Sequence, residues 1–257
     1  MGQVTKLGMI GMMLCLGASD TTARSLEAIG LRGSVALCAH PNALPFASKK
    51  GDPPGFQIEL GQALAKRLGV SLTQHWVVNT FQYRRADCDI VLDAIADRAA
   101  LAEVGLRMSR PYHRSGIILA VQRDSDASSL AQIRRGGQIG VQVGSMAAMV
   151  LQKRGLDITP FAFEDEMLDA LAQRRIEAAA VTPAAIGWFN VTHPDAGLRP
   201  IAAFEEDPDL NWNVAVGMLR PDKELTRRID TALEAMLADG TIARIYARYG
   251  VELRPPQ

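Results

Sequence analysis

The chain's four histidines, His40, His75, His113 and His193, are spread over its whole length. No cluster of Cys and His has the short spacing of a zinc site, so the sequence implies no metal and no cofactor. Nucleophilic catalysis needs a Ser or Cys beside a base, with a third group to orient that base. There is no G-x-S-x-G elbow, and no Ser, His and acid are convincingly brought together. Asp87, Asp89 and Asp93 crowd one stretch. A carboxylate pair can do acid–base work, but exposed charges and strand-end caps are the simpler reading.

What is left is binding chemistry. His40, Asn42 and Phe46 follow an apolar strand in a loop punctuated by Pro41 and Pro45, where they either line a cleft or shape a turn. Arg98 reads most simply as a solvated charge. Gly144 and Ser145, followed by Met146, open a helix whose free N–H groups can hold an anion or a carbonyl while Ser145 caps it. Thr182 precedes Pro183 at another helix start, where cap and ligand contact are both open. Trp188 and Phe189 read as core or partner surface. Trp212 lies beside a predicted crossing between lobes and faces the gap.

These residues need a scaffold, and composition bounds it. The 257 residues are 48% hydrophobic, enough to bury a sizeable core. Lys plus Arg and Asp plus Glu stand at 28 each, and aromatics are 5%; neither value suggests a nucleic-acid surface. Lys6 followed by the apolar run 7–18 reads as an export signal over residues 1–23, with a membrane anchor as the competing reading. The run is shorter than the ~20 residues a spanning helix needs. Cys15 suggests a lipid anchor, but Leu14 before it is too large for that signal. No other stretch is apolar enough to span a membrane. The reading is therefore a periplasmic protein in which Cys38 and Cys88 form a candidate disulfide or stay as buried thiols.

Strand-like and helix-like patterns alternate, which predicts an α/β protein with mainly parallel sheets flanked by helices. Strands are expected at 34–39, 71–77, 89–92 and 117–122, with a helix at 56–68. The pattern then restarts: strands at 138–142, 158–163, 176–181 and 198–203 alternate with helices at 144–154, 164–173 and 183–190. A strand at 213–219 and helices at 223–238 and 241–249 have no sheet of their own and return to the first unit. The expected division is a discontinuous first lobe, 29–121 and 210–257, and an inserted second lobe, 122–209. The crossings fall near Val121 and Asp207, and a ligand would sit where strand ends and helix N-termini face the gap.

Several segments resemble the family 3 periplasmic solute-binding proteins, the amino-acid type of ABC transporters. They are Gly55-Phe56-Gln57-Ile58-Glu59-Leu60, Ser109-Arg110-Pro111-Tyr112, Gly140-Val141-Gln142-Val143-Gly144-Ser145, and Ile242-Ala243-Arg244-Ile245-Tyr246 with Tyr249-Gly250-Val251. Each is weak alone; their order over nearly the whole mature chain is strong. A narrower resemblance lies in Cys38-Ala39-His40-Pro41-Asn42-Ala43-Leu44-Pro45-Phe46, Cys88-Asp89-Ile90-Val91, Arg110 to Gly116 and Pro183 to Phe189. These look like the subgroup associated with PQQ-dependent alcohol dehydrogenases, including the J proteins of methanol dehydrogenase clusters.

The resemblance implies a two-lobed, type II binding-protein fold. It also implies adjacent first and third strands that bring Cys38 and Cys88 within bridging reach. The subgroup implies a non-catalytic periplasmic accessory of a PQQ-dependent alcohol dehydrogenase. The wider family implies a transport receptor that takes a small polar solute such as an amino acid or carboxylate and meets an ABC permease. A dehydratase on this fold is the third reading and would need a cleft acid. Two departures matter. The resemblance makes Arg98 the candidate clamp that grips a ligand carboxylate with two parallel bonds, but it follows Ala96-Asp97 instead of a Thr-rich turn, and Thr182 stands where amino-acid binders place the Asp that holds an α-ammonium.

Overall fold

The computed structural model describes residues 24–79, 82–83, 85–97, 106–133 and 137–257, so the predicted signal, 1–23, and Arg98 lie outside the described residues. Ser25 caps helix α1 (Leu26–Arg32) by accepting from Ala28 N. Strand β1 (Ser34–Ala39) is buried along nearly its whole length, as a strand with neighbours on both sides must be. A short hairpin, β2 (Asn42–Ala43) with β3 (Ala47–Ser48), leads into α2 (Phe56–Leu68). Its buried Phe56, Leu60, Leu64 and Ala65 recur at helical spacing. Strands β4 (Ser71–Trp76), β5 (Ile90–Ile95), β6 (Leu106–Met108) and β7 (His113–Gly116) complete the first pass.

The second pass runs β8 (Ile118–Gln122), β9 (Ile139–Gln142), α3 (Met146–Lys153), β10 (Ile158–Phe161), α4 (Glu164–Ala172), β11 (Ala178–Val181), α5 (Pro183–Thr192) and β12 (Leu198–Ile201). The chain returns through β13 (Asn211–Leu219), α6 (Lys223–Ala238) and α7 (Thr241–Arg248). Asp222 caps α6 through Leu225 N, and Leu225, Ile229, Ala232, Leu233 and Met236 bury one stripe of it.

Among the described residues, one sheet has the order β4-β1-β5-β13-β6 with β7 also on β13, and a second has the order β10-β9-β11-β8-β12. The first packs its main core against α2, α6 and α7. The second buries Ala147 and Leu151 of α3 in one cluster and Met167, Leu168 and Leu171 of α4 in another. This is the expected two-lobed α/β fold.

The expectation of mainly parallel sheets needs correction. Pairs β1–β4, β1–β5, β9–β10 and β9–β11 are parallel, but every pairing of β13 and β8 is antiparallel. The cause is the insertion. A strand that leaves one lobe and a strand that returns to it side by side must run in opposite directions. The stretch 117–122 was expected in the first lobe; β8 instead bonds β11 and β12 of the second sheet. The crossings are therefore Gly116–Ile117 and Leu210–Asn211, earlier and later than Val121 and Asp207. They are held together by Ile117 N donating to Leu210 O at 2.8 Å. Helix α1, the β2–β3 hairpin, β6 and β7 had no expected counterpart.

The three aspartates of the suspect stretch turn out to be structural. Asp89 is buried and accepts from Arg24, Arg32 and Ala36 N; Asp87 also pairs with Arg24. Asp93 sits at φ 52°. Its Oδ1 accepts from the hydroxyls of Tyr112 at 2.7 Å and Tyr246 at 2.8 Å, while its Oδ2 is buried without a partner. Burial pushes the Asp93 carboxyl up, and the hydroxyl donors pull it down by less. Cys38 and Cys88 form a disulfide with Cα atoms 5.5 Å apart, joining the end of β1 to the segment just before its neighbour β5.

Two stability outcomes follow. The bridge spans a separation of 50 residues, so Cys38→Ser with Cys88→Ser should lower unfolding free energy by about 4 kcal/mol, read from urea midpoints. Asp93, with its folded-state pKa raised, contributes fully below the ordinary carboxylate pKa, and that contribution is lost as pH rises through the raised value. Asp93→Asn should therefore flatten the pH dependence, its gain over the parent being larger at pH 8 than at pH 4. An identical slope in thermal melts of both proteins would refute this.

Candidate functional site

In the second sheet β9, β10 and β11 are parallel, so their C-terminal ends reach the same edge. Helices α3, α4 and α5 begin there. That edge faces the first lobe across a cavity of about 550 Å³, within the size range of small-ligand sites. The first lobe supplies Ile95, Ala96 and Asp97 from the end of β5. The crossings supply Ile117, Asn211, Trp212 and Asn213, with Pro208 and Asp209 just before the second. The second lobe supplies Gln142, Ser145, Met146, Glu164, Ala180 and Thr182.

The second-lobe floor is set by local chemistry. Ser145 Oγ accepts from Ala148 N at 3.1 Å, so it is an N-cap; Gly144 before it has φ 72°. Thr182 is the N-cap of α5, accepting from Ala185 N, and Pro183 follows at the first helical position. Thr182 also holds an acid. Its N–H donates to Glu164 Oε1 at 2.6 Å, and its hydroxyl donates to Oε2 at 3.0 Å. Burial raises the Glu164 carboxyl pKa, and the two Thr182 donors only partly offset that. A carboxylate fixed by two bonds on a cavity floor is poised to meet a cation, or to carry a proton. The lining holds Asp97, Glu164 and Asp209 and, among the described residues, no Lys or Arg.

The structure brings together Ser145, Met146, Thr182 and Trp212 of the residues singled out from sequence. Gly144 adjoins them. His40, Asn42 and Phe46 are not among the lining residues. His40 Nδ1 accepts from Asn42 N at 3.1 Å, Asn42 pairs with Ser48 in the hairpin, and Phe46 packs on Phe56 with ring centroids 5.0 Å apart. The turn reading fits their contacts. Trp188 and Phe189 pack as core, on the first and second lobes respectively. Sequence reading missed Glu164, because an acid in the first turn of a helix is ordinary; only the fold shows that this one points at Thr182. No group of three or more His, Cys, Asp or Glu placed to hold a metal is found among the described residues. No helix of theirs is long and apolar enough to cross a membrane.

Residues 35–252 match the family described as bacterial extracellular solute-binding proteins, family 3. The lysine/arginine/ornithine-binding periplasmic protein of Escherichia coli (strain K12) is 26% identical over 260 residues, covering 95% of this chain and 96% of its own length. A membrane-bound lytic murein transglycosylase F of Desulfosudis oleivorans (strain DSM 6200 / JCM 39069 / Hxd3) is also 26% identical, over 88% of this chain, but only 50% of that protein is matched. Among solved structures, an ancestral cationic amino acid solute-binding protein superposes with TM-score 0.76 at 19% identity, over 88% of this chain and 99% of the other. The periplasmic binding protein XoxJ from Methylobacterium extorquens AM1 superposes with TM-score 0.67 at 22% identity, over 86% and 99%. At such identities the structural likenesses establish the fold.

The Thr182 hydroxyl both caps α5 and orients Glu164. Thr182→Val should lower stability by about 1–2 kcal/mol in urea unfolding, while Thr182→Ser should stay near the parent.

Proposed function

Because the chain belongs to the bacterial extracellular solute-binding proteins, family 3, we propose that it is an exported, periplasmic substrate-binding receptor of an ABC transporter, and that its ligand is a small amine-bearing solute of the cationic amino-acid type. The observation that carries this reading is Glu164, a carboxylate held on the cavity floor by Thr182. Thr182 occupies the position where amino-acid binders of the family carry an Asp for the α-ammonium, and it cannot supply charge itself. It supplies charge indirectly, by fixing Glu164 beside it. The ligand's carboxylate is assigned to the free N–H groups at the start of α3 beyond Ser145. The Arg98 clamp implied by the resemblance lies outside the described residues. Relatives named for lysine, arginine, ornithine and histidine support the ligand class.

The test is a thermal-shift screen with L-arginine, L-lysine, L-ornithine, L-histidine, L-glutamate and PQQ. A ligand of the native state raises its stability by about 2.7 kcal/mol at a hundred times Kd. The basic amino acids should raise the melting temperature and glutamate should not. Glu164→Gln should weaken the best of them by about 10- to 100-fold, the loss of one charge-assisted contact. Ionised Glu164 is the binding form and its pKa is raised. Affinity should therefore fall on acidification at a higher pH than an ordinary carboxylate would give. No shift with any basic amino acid would refute the reading.

A second reading has its own support. The segment Cys38 to Phe46 looks like the opening of the dehydrogenase-associated subgroup, and XoxJ is among the structural neighbours. Here the protein assists a PQQ-dependent alcohol dehydrogenase without catalysis. Loss of dehydrogenase activity on gene deletion, with a pull-down of that enzyme, would favour it. The dehydratase reading asked for a cleft acid, and Glu164 meets that requirement. Turnover of prephenate or arogenate would establish it; none is expected from a receptor.

A further inference from the structure

Helix α5 is apolar all round, which marks a helix buried on more than one side. Ala185, Ile186 and Phe189 pack into the second-lobe core. Ala184 and Trp188 instead join the first-lobe core, and Trp188 meets the ring of Tyr249 with centroids 5.5 Å apart. Between them, Gly187 lies backbone against backbone on Gly250. A Cβ on Gly187 would overlap the Gly250 carbonyl, and a Cβ on Gly250 would overlap that of Gly187. Gly250 also has φ 69°, a conformation that favours glycine.

From Gly250 the chain runs on along the crossings. Val251 is buried in the first-lobe core. Arg254 N donates to His113 Nδ1 at 3.1 Å, Arg254 O accepts from Arg114 N at 3.0 Å, and its guanidinium lies 3.7 Å from Glu205, in the segment leading to the second crossing. Arg114 reaches the same segment, donating to Glu205 O at 3.0 Å. At the far end both halves of the Asn213 side-chain amide bond the backbone of Gln257: Oδ1 accepts from its N–H at 3.0 Å and Nδ2 donates to its carbonyl at 2.8 Å. Asn213 lines the cavity.

We propose that the segment Gly250–Gln257 is a strap that latches the lobes together through the Gly187–Gly250 seam and the Arg254–Glu205 pair, and that positions Asn213 and the start of α5 at the cavity. Opening the cleft by a hinge motion at the crossings requires this seam to part. The two glycines are what allow α5 to come so close that its N-cap, Thr182, sits on the cavity floor. The strap therefore sets how far the closed arrangement is favoured over the open one, and hence how readily any solute is held. This holds whatever the cavity binds.

The test is small-angle scattering of ligand-free full chain, with circular dichroism and thermal melting as fold controls. Three variants are compared with the parent: Gly187→Val, which wedges the seam; deletion of 254–257, which removes the strap end; and Arg254→Met, a milder change. The radius of gyration should rise in every variant that keeps the parent's helical signal and melts cooperatively. Gly187→Ala should give a smaller rise than Gly187→Val. A role confined to stability would lower the melting temperature and leave the radius unchanged. If the deletion and Arg254→Met variants fold with the parent's radius, the latch is refuted, even should Gly187→Val fail to fold. Because no ligand is present, the outcome is independent of whether L-arginine or any other solute binds.

Discussion

The second lobe is spliced into the first, so the chain must leave and return through the same gap, and the two passes must sit side by side. Ile117 N donating to Leu210 O is the bond at that gap. On either side of it the passes continue as paired strands, β7 with β13 in one lobe and β8 with β12 in the other. Because partners that leave and return run in opposite directions, both sheets acquire an antiparallel half. Trp212, one residue beyond the return, packs against the cores of both lobes. A cavity beside such a crossing is bounded by two rigid cores and a short two-stranded neck. Motion of one lobe relative to the other is then concentrated in a few backbone dihedrals, which is how a hinge works.

Burial decides what each carboxylate of this molecule can do. Asp89 is fully buried, and Arg24, Arg32 and the Ala36 N–H all bond its carboxylate. Asp93 is buried against neutral donors, the hydroxyls of Tyr112 and Tyr246 and the Gln57 side chain, and burial outweighs them, so the neutral form gains. Glu164 lies between these cases. It has two donors from Thr182 and open cavity beyond them, so its charge is incompletely matched inside the protein. A mobile cation is the natural complement of such a group. Asp87, Asp89 and Asp93, clustered in the sequence, are thus spent on holding Arg24, β1 and β5 in place, and the acids that line the cavity are Asp97, Glu164 and Asp209.

Much of this was legible in the sequence, for identifiable reasons. The helix 223–238 is legible to the residue because its apolar stripe is regular, and the structure adds the Asp222 cap. Ser145, Met146 and Thr182 are legible at the cleft because strand ends and helix starts share an edge in α/β units, and Trp212 because it lies beside the second crossing. The Cys38–Cys88 bridge came from the family resemblance and is formed. The direction of β8 was not legible: Ile118–Gln122 is apolar whichever sheet takes it, and partner choice is a property of the whole topology. His40, Asn42 and Phe46 were ambiguous because a Pro-rich turn and a cleft rim use the same residue types. Glu164 was invisible, since nothing local distinguishes a helix-start acid in solvent from one aimed at a threonine eighteen residues on.

The substitution that first argued against an amino-acid ligand, Thr182 in place of an acid, is better understood as half of an exchange. An acid at the end of β11 would put its charge in the cavity directly but would also have to cap α5. Splitting the roles lets Thr182 cap α5 through Ala185 N and hold Glu164 with the hydroxyl hydrogen and its own N–H. The charge then arrives from α4, so its position depends on α4 and α5 keeping their spacing. That spacing is fixed on one side by the second-lobe core, through Leu168, Ile186 and Phe189, and on the other by the Gly187–Gly250 seam with the first lobe. Charge placement in the cavity and contact between the lobes are therefore set by the same helix, and a change that moves α5 must alter both together.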